Sequence, residues 1–166
     1  MYLCAILNGG QGNLTESLRL REFYEIYVSL CYRLLRARPL DDILEHAVDD
    51  FAILHFGMIL FMMTIMLYNE RQSIVKFAAA KQCLECIVVE SSATLDQVSL
   101  LWFSTLAFLW TSDDWVKGMF TDISLRAARG LGLTDWTSAR TLILNYPWIP
   151  ALHDNAARAM WQEVWH

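Results

Sequence analysis

The sequence predicts an all-α protein: an irregular multi-helix array of about six or seven helices, forming one domain over residues 1–166. Three observations carry this reading. Apolar residues recur at three- and four-residue spacing, as the helical repeat requires of a buried face. Capping pairs open the apolar runs: Asn13 with Glu16, Asp42 with Glu45, and Thr94 with Gln97. Proline or paired serine closes them, at Pro39, at Ser91-Ser92 and at Pro147-Trp148-Ile149-Pro150.

Taken in order, the first helix runs from Asn13 to about Ala37. Leu20, Phe23, Tyr27, Leu30, Cys31, Leu34 and Leu35 are its apolar positions, and Arg19, Arg21, Glu22, Glu25 and Arg33 occupy other faces. Beyond Pro39, helix resumes at Asp42 and continues to about Tyr68. Its stretch from Phe51 to Tyr68 carries no formal charge and reads as a buried central rod. A third helix, Arg71 to about Val89, mixes Val75, Ala78, Ala79, Cys83, Cys86 and Ile87 with Lys76, Lys81 and Glu85. The helix from Thr94 to Trp110 carries one charge, Asp96, and needs cover on nearly all sides.

After the polar break Thr111-Ser112-Asp113-Asp114, a further helix repeats Trp115, Met119, Ile123, Ala127 and Leu131 every four residues as its buried stripe. Gly130 and Gly132 tolerate the positive φ that helix ends use. A shorter helix covers Ser138 to Leu144, the two prolines force a turn, and a last helix spans Asp154 to His166 with Trp161 and Trp165 one turn apart.

Composition narrows the function classes. The chain is 55% hydrophobic and 19% charged, so it hides more apolar surface than most domains or belongs to something larger. Its net charge is −5, and Lys76, Lys81 and Lys117 are its only lysines. Gripping a duplex needs clustered Lys and Arg, so direct DNA contact by this chain is not expected. Cys4, Cys31, Cys83 and Cys86 read as unpaired thiols in a reducing compartment. The eighteen or so uncharged residues from Phe51 to Tyr68 also admit a bilayer span, with Val98–Trp110 as a second short one. His55, Gly57 and Thr64 interrupt the first run, so a small integral membrane protein is kept as an alternative and a membrane partner is not expected.

No catalytic motif is present, and no enzyme activity is expected. Gly9-Gly10-Gln11-Gly12-Asn13 lacks the Gly-Lys-Ser/Thr of a phosphate-binding loop and reads as a turn before a helix cap. Cys83-Leu84-Glu85-Cys86 has zinc-like spacing but no second ligand pair, and no metal or other cofactor is expected in this chain. His46 and His55, with Asp49 and Asp50 between them, have no accompanying nucleophile. Met58, Met62 and Met66, with Trp102, are candidates to line a pocket for a small apolar effector, because methionine adapts its shape. A helical ligand-binding protein is therefore a second alternative.

The stretch Thr94–Leu133 is the most distinctive. It ends in Arg126, Ala128, Leu131, Gly132 and Leu133, within Leu125-Arg126-Ala127-Ala128-Arg129-Gly130-Leu131-Gly132-Leu133. This resembles the helical hairpin of the fungal transcription factor regulatory domain, the middle homology region of zinc-cluster regulators (xylanolytic-activator-like among them), whose second helix ends roughly as A-x-R-x-A-x-x-L-G-L-H. Ser124 stands in the place of the family's alanine before the arginine, and Thr134 in that of its final histidine. The resemblance implies a regulatory domain acting in DNA-templated transcription, in the nucleus, or in the cytoplasm if the chain is a free fragment. Its partners would be proteins of the transcription machinery or the rest of its own domain. It implies further that the domain continues past this chain, and that zinc and DNA binding belong to a six-cysteine module that this sequence does not contain.

Overall fold

The computed structural model describes residues 20–45, 48–69, 78–90 and 95–164. The glycine turn, the Asn13 cap, His46, Arg71, Thr94, Trp165 and the side chain of Met66 lie outside the described residues. Among the described residues there are seven helices of eight residues or more, one helix of six, and no strand. The order is α1 (Leu20–Ala37), α2 (Leu40–Glu45), α3 (Asp50–Asn69), α4 (Ala78–Glu90), α5 (Gln97–Trp110), α6 (Asp114–Gly130), α7 (Trp136–Ile143) and α8 (Pro150–Val164). The array is all-α, as the periodicity predicts.

Helix α5 is the hub, because it packs on α3, α6, α7 and α8. Its side chains from Leu101 to Ala107 are all buried. Helix α3 lies beside it, with the Phe56 and Phe103 rings 6.4 Å apart. On the far side of α3 sits α1, through Phe23 and Tyr27, and the Tyr27 hydroxyl donates to the Met62 carbonyl at 2.8 Å. Helix α2 rests on α4, where the Cys83 thiol donates to the Leu40 carbonyl at 3.6 Å.

Several boundaries differ from the sequence reading, each for a local reason. Helix α5 is capped by Asp96, whose carboxylate accepts the Val98 and Ser99 N–H groups, so the run's one charge is its cap and stands outside the helix. The helix expected from Asp42 to Tyr68 is two helices. Asp49 ends the gap by accepting the Ala52 N–H, and Arg38 bridges Asp42 at 2.8 Å and Asp49 at 2.9 Å. The last helix starts at Pro150, not Asp154, since a missing N–H costs nothing at a first helical position and proline presets its φ. The stripe through Trp115 and Met119 is not the buried one. Val116, Phe120, Ile123, Ser124, Ala127 and Ala128 face the core, while Trp115 is 66% exposed. A strict four-residue repeat drifts about 40° per step around a helix of 3.6 residues per turn, so it cannot hold one face for four steps.

The membrane alternative depends on α3. Its side chains between Ala52 and Ile65 are buried or half-buried in protein, between α1 and α5. Among the described residues no helix is long and apolar enough to cross a membrane. Helix α5, at 14 residues, spans only about 21 Å.

Gly57 sets how closely α3 and α5 approach. A β-carbon there would lie 2.6 Å from Trp102 Cζ3 and 3.2 Å from Phe103 Cδ2. Trp102 cannot step back, because its indole donates to the Pro147 carbonyl at 3.0 Å and stacks on Tyr146 at 5.1 Å. Gly57→Ala is therefore expected to lower the unfolding free energy by about 1–2 kcal/mol, overpacking outweighing the gain in helix propensity. Gly118→Ala, with nothing within 4 Å of its β-carbon, is expected to raise it by about 0.5–1 kcal/mol. Denaturant unfolding of the two variants against the parent checks both signs.

Candidate functional site

The hairpin α5–α6 is tight and antiparallel. Lys117 lies 5.7 Å over the Phe108 ring, Phe103 meets Phe120 edge to face at 5.9 Å, Ser104 meets Ser124 at 2.7 Å, and Gly130 faces Gln97. The Ser104 hydroxyl donates to the Leu100 carbonyl at 2.7 Å, so Ser124 is the donor between the two serines. At the turn, Asp113 accepts the Trp115 and Val116 N–H groups and pairs with Lys81 at 2.9 Å. That lysine, with the two N–H groups, holds the Asp113 carboxyl below the usual carboxylate range.

The end of α6 explains the motif residues one by one. Gly132 has φ +67°, its N–H donates to the Arg129 carbonyl at 3.0 Å, and the Leu133 N–H donates to the Ala128 carbonyl at 2.9 Å. This is a Schellman termination, with glycine at the left-handed position. Ala128 is fully buried on the core face of α6. Leu131 and Leu133 pack against the core from just beyond the helix. Arg126 and Gly132 are the exposed ones of the five, and of these only Arg126 carries a side chain.

Arg126 borders a feature that the sequence did not reveal. Met119, Asp122, Ile123, Leu125, Arg126 and Arg129 line an open groove of about 490 Å³ along α6. Ile123 is 7% exposed, while Asp122, Arg126 and Arg129 are exposed. Two guanidinium groups one turn apart can take a carboxylate or phosphate, and the apolar positions can take an aliphatic or aromatic side chain beside it.

The pocket candidates are placed differently. Trp102 is 1% exposed and held between Gly57, Tyr146 and Pro147. Met62 is buried at 4% exposure, and Met58 is half-buried. Trp102 thus reaches α3 one residue before Met58, but protein groups meet its ring. Cys83 is buried, and burial pushes its thiol up to about 11. Cys31, Cys83 and Cys86 are free thiols. Among the described residues no three of His, Cys, Asp or Glu stand together as a metal site. Asp49 is committed to Ala52 and Arg38, which hold its carboxyl low, and His55 is buried with Nε2 unpartnered among the described residues.

One polar node was missed, and no spacing in the sequence announces it. His153, 2% exposed, ties α8 to α3. Its Nδ1 accepts the Ile149 N–H at 3.1 Å, so Nε2 carries the proton and donates to Thr64 Oγ1 at 2.9 Å; Thr64 in turn donates to the Phe61 carbonyl at 2.7 Å. Burial pushes the imidazole down to about 4, against the opposing field of Asp154. That carboxylate is itself bound by Arg140 Nε and Trp148 Nε1, each at 2.8 Å.

A scan against protein-family models, a search of curated proteins and a search of solved structures each return no match to this chain. Fold and site together define it as an all-α array carrying an open, arginine-edged groove on a glycine-capped hairpin.

Two outcomes follow from these contacts. Because the folded pKa of His153 lies below its unfolded value of 6.5, the unfolded chain binds the extra proton between pH 6.5 and about 4. Its contribution is complete above pH 6.5 and declines as pH falls, by up to about 1.4 kcal/mol per unit. His153→Gln keeps one acceptor and one donor without titrating, so the difference between parent and variant stability should narrow across that window in urea unfolding. Gly132→Ala should cost roughly 1–2 kcal/mol, since the left-handed conformation is strained for any residue with a β-carbon.

Proposed function

We propose that this chain is a regulatory domain of the kind found in the middle homology region of fungal zinc-cluster transcription factors, modulating transcription through helix-to-helix contact. In this reading its partners are proteins of the transcription machinery or further parts of its own regulatory region. DNA and zinc are handled by a separate module, and the place of action is the nucleus. The chain is not an enzyme, and it works without a cofactor.

The observation that carries the proposal is the hairpin end. Ala128, Leu131, Gly132 and Leu133 are used up in burying and terminating α6, which leaves Arg126 outward on the groove with Arg129. The partner face that fits is a helix with an acidic residue beside one or two apolar ones.

The test is a fusion of the chain to an unrelated DNA-binding domain, read by a reporter gene in a fungal cell. The expected outcome is a change in reporter output that Arg126→Glu/Arg129→Glu abolishes, with the far-ultraviolet circular dichroism of the purified double variant unchanged. Equal output with and without the chain, at matched nuclear protein levels, defeats the proposal. So does an effect that survives the double reversal.

A further inference from the structure

The groove on α6 belongs to a longer seam. Trp115, Met119, Asp122, Arg126 and Arg129 step by four, three, four and three residues. On a helix of about 3.6 residues per turn they stay within an arc of about 80°, a straight line about 21 Å long that faces away from the core. Met119 and the three charged residues line the groove, and exposed Trp115 extends it by one turn. Among the described residues Asp122, Arg126 and Arg129 make no ion pair, whereas Arg38, Lys81 and Arg140 each do. Three charges and a tryptophan thus stand in one register with nothing of this chain committed to them.

We infer, building on the regulatory function proposed for the groove, that the seam takes an antiparallel amphipathic helix of a partner protein, acidic in its first turns, basic next and apolar last. The four-three repeat matches the side-chain rows of a second helix, and a strand of period two does not follow it. Charge complementarity sets the order. Carboxylates of the partner meet Arg129 and Arg126, a cation meets Asp122, and apolar side chains cover Met119 and Trp115. Helix dipoles set the direction: run antiparallel, the partner's carboxylates fall at its own N-terminus, where the dipole favours them, and run parallel they fall at its C-terminus, where it opposes them. The same charges speak against a second copy of α6. Asp122 is the midpoint of the seam, seven residues from either end, so an antiparallel pair sets the two Asp122 carboxylates against each other. A parallel pair sets every charge against its like.

Selection of the full chain against a library of displayed helical peptides tests the inference. The expected winners carry two acidic residues three apart near their start, then a lysine or arginine, then aliphatic or aromatic residues at helical spacing. Trp115→Ala should weaken the best peptide roughly tenfold or more, as should Arg126→Glu, with helical circular dichroism unchanged. A lysine in place of the peptide's facing acid should restore binding to Arg126→Glu. No selected peptide, winners of the opposite order, or binding indifferent to Trp115→Ala overturns the inference. So does a dimer in sedimentation equilibrium that Trp115→Ala dissolves, which gives the seam to a second copy. The reporter fusion separates the two readings. If reversal of both arginines silences it and Trp115→Ala leaves it unchanged, the regulatory function stands and the helix-docking seam falls.

Discussion

The burial of α5 is the constraint on which the other elements depend. From Gln97 to Trp110 the helix has no charge, and Leu101, Trp102, Phe103 and Leu106 are each at most 1% exposed. Hiding such side chains stabilises the fold by about 1.5–3 kcal/mol each, so every direction around the helix must be occupied by protein. Helices α3, α6, α7 and α8 do this from different sides. The hydroxyls within α5 are neutralised locally: Ser104 and Thr105 return their protons to the Leu100 and Leu101 carbonyls one turn back. A helix so covered can tolerate no long polar side chain in its middle, and it has none.

Close cover has geometric consequences that reach the rest of the molecule. Trp102 is the widest buried group on α5, and Gly57 is the notch in α3 that admits it. Tyr146 and Pro147 complete the seat, so the segment between α7 and α8 is fixed by a ring on α5. Tyr146 also donates to Ser99 Oγ at 2.6 Å, because that serine's own proton goes to Asp96. The cap that starts α5 is thereby tied to the turn that starts α8. His153 then fastens α8 to α3 through Thr64. Sequence-distant pieces are held by single polar bonds placed inside apolar surroundings, where an unmade bond is costly.

What the sequence made legible follows from this division. Long apolar runs announce themselves, so the central places of α3 and α5 and the all-α class were readable from Phe51–Tyr68 and Thr94–Trp110. Residues whose role is set by their own backbone were readable too, Gly132 above all. Boundaries were less so. Asp96 and Asp49 act as caps only once the chain has turned, and Thr94 or Asp42 satisfy the same pattern on paper. The face of α6 was misread because Trp115 and Met119 are large and apolar, while burial favours the smaller Ser124, Ala127 and Ala128 that let α5 come close. The groove and the His153 node were unreadable for a different reason. Each joins groups whose spacing along the chain has no period, so only three-dimensional placement defines them.

The outer surfaces can now be weighed against the core. A core residue is chosen for volume, and a terminating glycine for its backbone; neither choice explains Arg126 and Arg129 standing together on one face of α6, or Tyr24, Val28, Tyr32 and Leu35 on one face of α1. Leaving four large apolar groups in water gains nothing in stability, and a helix needing only to cover α3 would carry a single apolar face. The two surfaces also differ in kind. The α6 groove sets charge beside apolar residues, which suits a partner with its own distinct pattern. The α1 stripe is apolar along its length. The two surfaces lie on separate elements, and α3 and α5, packed between α1 and α6, carry the core.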